Sequence, residues 1–426
     1  MDAVSAWVLA VDFGTTNTIA AVGDANGVRT LTIDGRPVMP SAVFLNESGW
    51  IVGEAAVRFA RRRLDRFERC PKRAIPDRVL FLAGHDVPVV DAITAVFRPI
   101  VHEAAQQSGG RPPAAFVVTH PATWAGSRVQ ILQTAAAIAA RDLPGWPSPY
   151  PLAEPVAAAQ RTMDIAVVPP VARLVVLDLG GGTVDVTVVD RNGAYLTVAG
   201  RPTGIDSLGG EDFDLRLARW MTAEVGAPAL FDRLAMSVNP EERERAVDIR
   251  DHARLVKEQL SRQSAVPAQL PKSPPELPDN TPVLVNKLEL EKLIRGGDGA
   301  EPGLIDAVDL VVKSLSTAPP GPPLAGVFLV GGSSRIPLLG TLVVERIGQV
   351  PLKHGDPTTA VADGAARHAL AAVTAPAPVH YWAPPPPPPP PPRPQSSGRG
   401  GAAAAVVIGL FVILALLAVF AELAAY

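Results

Sequence analysis

At 426 residues the chain is about two to three times the usual domain size, so at least two lobes are expected rather than one core. Its 39 basic and 42 acidic side chains leave a formal charge of −3, which gives no electrostatic footprint for nucleic acid. One cysteine, Cys70, excludes an intrachain disulfide, and the seven histidines form no Cys/His cluster with metal-ligand spacing.

In chain order, Met1 to Trp7 includes Asp2 and shows no basic stretch ahead of an apolar one, so no cleaved export signal is expected. From Trp7 to Val22 the pattern is apolar strand, tight polar turn, apolar strand. Asp12 ends the first strand, and Gly14, Thr15, Thr16 and Asn17 make the turn. A glycine there lets backbone N–H groups approach phosphate oxygens, threonine hydroxyls add donors, and a carboxylate can hold Mg²⁺ through its water shell. A plain hairpin turn accounts for the same residues, so this stretch alone leaves both uses open.

Phe116 to Thr119 reads as a further strand leading into Pro121, and Gln130 to Ala140 as a helix. The first pattern then returns at Leu174 to Val189. Val8 to Thr16 and Val175 to Thr183 share an apolar run, Asp-x-Gly and then Thr, a spacing that predicts two related lobes. In this second copy Asp178 is followed by Gly180, Gly181, Gly182, Thr183 and Asp185. Three glycines running out of a strand are costly to order, which favours a phosphate clamp over an ordinary turn. Two such clamps facing each other would grip a polyphosphate from both sides.

Asp212 to Glu224 and Glu241 to Gln259 are read as helices, the latter with many i,i+4 charge pairs on a solvated face. Pro267 to Pro282 is proline-rich and polar and is read as a surface loop or hairpin connection. Val327 to Val330 is a strand running into Gly331, Gly332 and Ser333. Strands alternating with helices give an α/β chain, and no G-x-x-x-x-G-K-[ST] occurs, which disfavours the P-loop class.

From Ala375 onward the pattern of a fold stops. Residues 374–401 read as a proline-rich linker, in which Pro384 to Pro392 should form a stiff polyproline spacer of about 28 Å. Use of that block by an unidentified SH3-like or WW-like protein partner is the alternative. Ala402 to Ala421 holds no charge over 20 residues, enough for one transmembrane helix in membrane lipid, with a buried core helix as the competing reading. Arg393 and Arg399 precede it and Glu422 follows, which predicts a single-pass membrane protein with its N-terminal domain cytoplasmic.

Four segments carry a family resemblance: Val11 to Asn17, Leu177 to Asp185, Leu208 to Asp214 (Leu-Gly-Gly-Glu-Asp-Phe-Asp) and Leu329 to Pro337 (Leu-Val-Gly-Gly-Ser-Ser-Arg-Ile-Pro). Together they resemble the nucleotide-binding domain of the 70-kDa heat-shock chaperones, within the actin, sugar kinase and heat-shock superfamily. The resemblance implies a two-lobed actin-like ATPase fold with duplicated mixed sheets over residues 5–373. Lobe I would take about 5–170 plus 357–373, and lobe II about 171–356. It implies ATP or ADP with Mg²⁺ as ligands, Asp12 and Asp178 holding the metal through water. Gly14, Thr15, Thr16 and Asn17, the turn Gly180, Gly181, Gly182 and Thr183, and Gly209, Gly210 and Glu211 would contact nucleotide. Lys257, Ser261, Gly331, Gly332, Ser333 and Arg335 would line the adenosine side.

Pro71-Lys72-Arg73 looks like the family's Ala-Lys-Arg, whose lysine places water against the γ-phosphate; a surface lysine is the plain alternative. Ala153-Glu154-Pro155 resembles Asn-Glu-Pro, and Pro121 with Arg128 falls where the family keeps its proline switch and interlobe arginine. Lys72, Glu154, Asp178, Thr183 and Asp185 are thus the expected catalytic set. The departures are Arg254 in place of a glutamate on the adenine-binding helix, His120 in place of a valine, one residue missing between Pro121 and Arg128, and the proline-rich stretch where the family has a sheet segment. Nothing after Val373 resembles the family's interdomain linker or peptide-binding sandwich. The expectation is a membrane-tethered, slowly hydrolysing ATPase of chaperone type. An actin-like membrane scaffold or signalling module without significant turnover, or a sugar or acetate kinase, is the alternative.

Overall fold

The computed structural model describes residues 6–61, 63–164, 168–272, 277, 281–297, 299, 301–352 and 355–374. The chain divides into two units, 1–375 and 376–426. The expected spacer Pro384 to Pro392 and the apolar segment Ala402 to Ala421 lie outside the described residues, among which no helix is long and apolar enough to cross a membrane.

The first unit is a mixed α/β body built on two main sheets. In the first, the strand Val8–Phe13 lies between a parallel neighbour, Ala115–His120, and its own antiparallel hairpin partner, Asn17–Asp24. Tyr150–Ala153 and Gly27–Leu31 close the two edges. The second sheet repeats the theme. Val171–Leu179 lies between parallel Leu324–Val330 and antiparallel Val184–Asn192. The internal sequence repeat therefore corresponds to two hairpins in the same relation to a parallel strand.

Both central strands are apolar on both faces because both faces are covered. Leu9, Val11 and Phe13 point to one side, where they meet Phe97, Phe116 and Leu132 under the helices Val89–Gln107 and Gly126–Ala140. Val8 and Ala10 point to the other side, into a core shared with Leu174, Val176 and Phe328 of the second sheet. That shared core is filled by two alanine-rich helices, Glu154–Gln160 and Ala360–Thr374. Small side chains let these helices cross closely between the sheets. A Cβ built on Gly364 would lie 1.8 Å from the Ala157 carbonyl oxygen. This arrangement fits an actin-like ATPase fold.

Of the two readings of Pro267 to Pro282, surface loop or hairpin connection, the hairpin holds, and its strands supply sheet where the proline content suggested none. The stretch overlaps a two-stranded antiparallel hairpin, Ala265–Leu270 with Thr281–Asn286, in which Pro267 pairs with Leu284 and Gln269 with Pro282. Each strand of a two-stranded ribbon is an edge, where a proline's missing N–H is tolerated. Val266, Leu270, Val283 and Val285 face inward from it to the core around Phe213 and Ile249.

Candidate functional site

A cleft of about 1160 Å³ opens between the two sheets, and both hairpin turns face it. Every residue expected at the site lines this cleft except Gly182 and Gly209. Those two lie just behind it. A Cβ on Gly209 would sit 2.5 Å from the Gly181 carbonyl, and one on Gly182 would sit 2.0 Å from the Arg73 guanidinium.

The hairpins place the carboxylates. Asp12 is next to last in its strand and accepts a hydrogen bond from Thr119 of the parallel neighbour at 2.8 Å. Asp178 occupies the equivalent place and lies directly across from Asp185. Thr183 donates to Asp185 at 3.4 Å. Lys72 belongs to a short 3₁₀ turn, Pro71–Ala74, and is buried, which overturns the surface-lysine alternative. Its ammonium donates to Glu154 at 2.9 Å and sits 5.3 Å from the centre of the Trp124 ring.

Crowding of these acids sets their electrostatics. Burial and the charge of Glu154 push the Asp12 carboxyl up to about 6 against the pull of Lys72 and Thr119. The same burial and Glu154 lift Asp185 to about 7. Asp178 is held well above the ordinary carboxylate value by burial, Glu154, Asp185 and Asp12. For Lys72 burial works against the charge, but Glu154 and Asp12 outweigh it and raise its pKa. One ammonium facing four carboxylates is an incomplete neutralisation. These hard oxygen donors suit a divalent cation such as Mg²⁺. Among the described residues no three His, Cys, Asp or Glu groups converge to hold an ion directly.

The glycines are fixed by close approach. A Cβ on Gly14 would lie 2.3 Å from the Asn17 carbonyl oxygen, and one on Gly181 would lie 2.0 Å from the Thr16 hydroxyl, so the two turns touch across the cleft. Gly331, at φ 85°, brings its loop so near Asp178 that a Cβ would be 2.4 Å from Oδ1.

The second turn is stapled from behind. The N–H groups of Gly210 and Glu211 donate to the carbonyls of Gly180 and Gly181 at 3.1 and 2.6 Å. Ser333 donates to Gly180 at 2.8 Å. Lys257 is buried and committed to Gly210 O at 2.6 Å and Asp214 at 2.7 Å. Lys257 and the Gly209 to Glu211 segment therefore shape the turn, and Lys257 is not a free cation reaching into the cleft. Glu211 accepts from Thr16 at 2.9 Å, linking the two sheets' sides. Ser261 donates to its own helix at Lys257 O, 3.4 Å away, and Arg335 pairs with Asp356. Arg254, on the helix Pro240–Leu260, pairs with Glu258 at 3.0 Å. Thr15, Asn17, Gly332 and the exposed Arg128 line the walls.

Two residues were missed in the sequence. Trp124, three places beyond Pro121, faces Lys72, and Asp206 adds repulsion to Asp185. Arg73, quoted in the sequence only as part of Pro71-Lys72-Arg73, donates to Gly182 O at 3.3 Å from the opposite side. Of the two missed residues Trp124, an aromatic beside a proline already singled out, gave a local signal.

With this geometry in view, the chain matches the family model described as Hsp70 protein over residues 91–379. That span includes Glu154, Asp178 and Gly331, while Asp12 and Lys72 precede it. Proteins named Chaperone protein DnaK from Thermotoga petrophila and Thermotoga maritima are 28% identical over 372 residues, covering 84% of this chain and 58% of theirs. The corresponding protein of Mycoplasmopsis synoviae is 25% identical over 370 residues, 84% of this chain and 57% of its own. The chain thus spans less than two thirds of the length of these curated relatives.

Proposed function

Because the chain belongs to the Hsp70 family and carries its nucleotide-binding domain, we propose that it binds ATP in the interlobe cleft and hydrolyses it slowly. The observation that carries the reading is the convergence of two glycine hairpin turns on one cleft floored by Asp12, Lys72, Glu154, Asp178 and Asp185. Magnesium, when bound, would offset the charge of phosphates and acids, with Asp12 and Asp178 holding its water shell. The turns at Gly14 to Asn17 and Gly180 to Thr183 would bind the phosphates. Lys72, oriented by Glu154, would stabilise charge at the γ-phosphate and position the attacking water. Asp185, steadied by Thr183, offers a carboxylate oxygen for that water's proton.

Full-length protein should gain thermal stability with millimolar Mg·ATP, since a ligand that binds only the folded state stabilises it. An unchanged melting curve sinks the reading. Anchoring through Ala402 to Ala421 with the domain cytoplasmic is part of the same proposal and rests on that segment's composition and the preceding arginines. The protein should then sediment with membranes after a high-salt wash, and truncation after Ser397 should release it. Recovery of the intact chain in the soluble fraction removes the anchor from the proposal.

A further inference from the structure

Away from its acid floor the cleft is cationic. The helix Pro240–Leu260 and its cap residue Ser261 turn one face toward it, where Arg250, Arg254, Lys257 and Ser261 recur at intervals of four, three and four residues. Lys257 is matched by Asp214 at 2.7 Å and Arg254 by Glu258 at 3.0 Å. Among the described residues Arg250 has no such partner to itself. It shares Asp251 with Arg69, which arrives from the opposite side of the cleft, and each guanidinium stays 3.9 Å from that carboxylate. At that distance neither is hydrogen-bonded to it. Both arginine side chains are three-quarters or more buried, at 25% and 21% exposure. Arg262 also lines the cleft and makes no ion pair among the described residues. With Arg73 and Glu211 included, this wall carries six cations to four acids, an excess of two. Burial, and then the charge of Arg69, hold the Arg250 guanidinium below its ordinary value against the pull of Asp251, Glu211 and Asp214.

We propose that Arg69 and Arg250, with Arg254 one turn along, form an anion subsite at the adenosine end of the cleft that takes a phosphate dianion, presented on the ribose of a bound nucleotide. The proposal rests on the nucleotide reading of the cleft. Two guanidinium forks that donate no hydrogen bond among the described residues, facing each other from opposite walls, match the oxygens of a phosphate. A dianion also balances the surplus of two charges. A carboxylate in the place of Arg254 would repel such a group, so this departure from the family pattern alters which ribose substituents are accepted.

The test is calorimetric titration of the full chain with ADP, with 2′-phosphorylated and 3′-phosphorylated ADP, and with inorganic phosphate alone. One ribose-phosphorylated form should bind about tenfold or more tighter than ADP, in keeping with charge-assisted hydrogen bonds. The ratio should shrink with added salt and fall to about one in Arg250→Gln and Arg69→Gln. Phosphate that binds wild type but not Arg250→Gln supports the subsite and assigns it to a free anion. Equal wild-type affinity for ADP and both phosphorylated forms, with no phosphate binding to the wild type, overturns it. The wild-type series decides the matter even where a variant fails to fold. Failure of ADP itself to bind removes the nucleotide reading and leaves the phosphate arm to decide the subsite.

Discussion

An ammonium taken out of water needs counter-charge, and Lys72 has it from Glu154 at 2.9 Å and from the carboxylates of Asp12 and Asp185. Its folded-state pKa is raised above 10.5, so the stability it contributes is present throughout the neutral range and is lost only as pH rises through that higher value. Removing it leaves four acids without their cation. Lys72→Ala should therefore cost about 3–5 kcal/mol of stability at neutral pH, read by urea unfolding. It should also lower hydrolysis on the order of 10²- to 10³-fold, as for loss of one electrostatic stabiliser, with ATP affinity little changed. Adding Glu154→Gln should restore part of the stability and none of the turnover. A double variant no more stable than the single one would show that the pair is not what holds this turn, and wild-type turnover in Lys72→Ala would remove the lysine from the chemistry.

Among the elements, the two helices between the sheets are the most constrained. The 1.8 Å approach of a Gly364 Cβ to the Ala157 carbonyl means that Gly364→Ala must push the helices apart within a shared core. Overpacking of this kind should cost about 1–3 kcal/mol, seen as a lower urea midpoint at unchanged slope. An unchanged midpoint would mean that the crossing relaxes freely. None of this was visible beforehand, because an alanine run names no partner. The hairpins were legible because their apolar runs, Asp-x-Gly and Thr recur in one chain. Helix starts are less legible: the sequence pattern begins at Gln130 and Glu241, whereas the helices begin at Gly126 and Pro240, since glycine and proline at a first turn look like loop. The link from Lys72 to Glu154 spans 82 residues, and the staple from Ser333 to Gly180 spans 153. Such contacts are set by how the sheets meet, not by local pattern, so only family resemblance pointed to their members.

At the scale of the whole domain, closure of the cleft has a built-in reporter in Cys70. The thiol is 6% exposed and lies 3.9 Å from Glu211 on the far wall, beside the Thr16 to Glu211 hydrogen bond. Burial first, and then the negative charge of Glu211, push it up to about 12 from an ordinary value of 9.0. The folded state keeps a proton that the unfolded chain releases above pH 9, so this group lowers stability as pH rises from 9 toward 12. At pH 8 the thiolate fraction should be about 10³-fold below that of the unfolded chain, and alkylation by iodoacetamide should be slower by at least that factor. Reaction then proceeds mainly through opened molecules, in which Cys70 and Glu211 part and the thiol regains water. A nucleotide that holds the walls together should slow labelling further, in proportion to the closed population it adds. Labelling of native protein as fast as that of urea-unfolded protein would mean that the cleft is open in solution. Slow labelling that saturating Mg·ATP leaves unchanged would mean that closure does not depend on nucleotide.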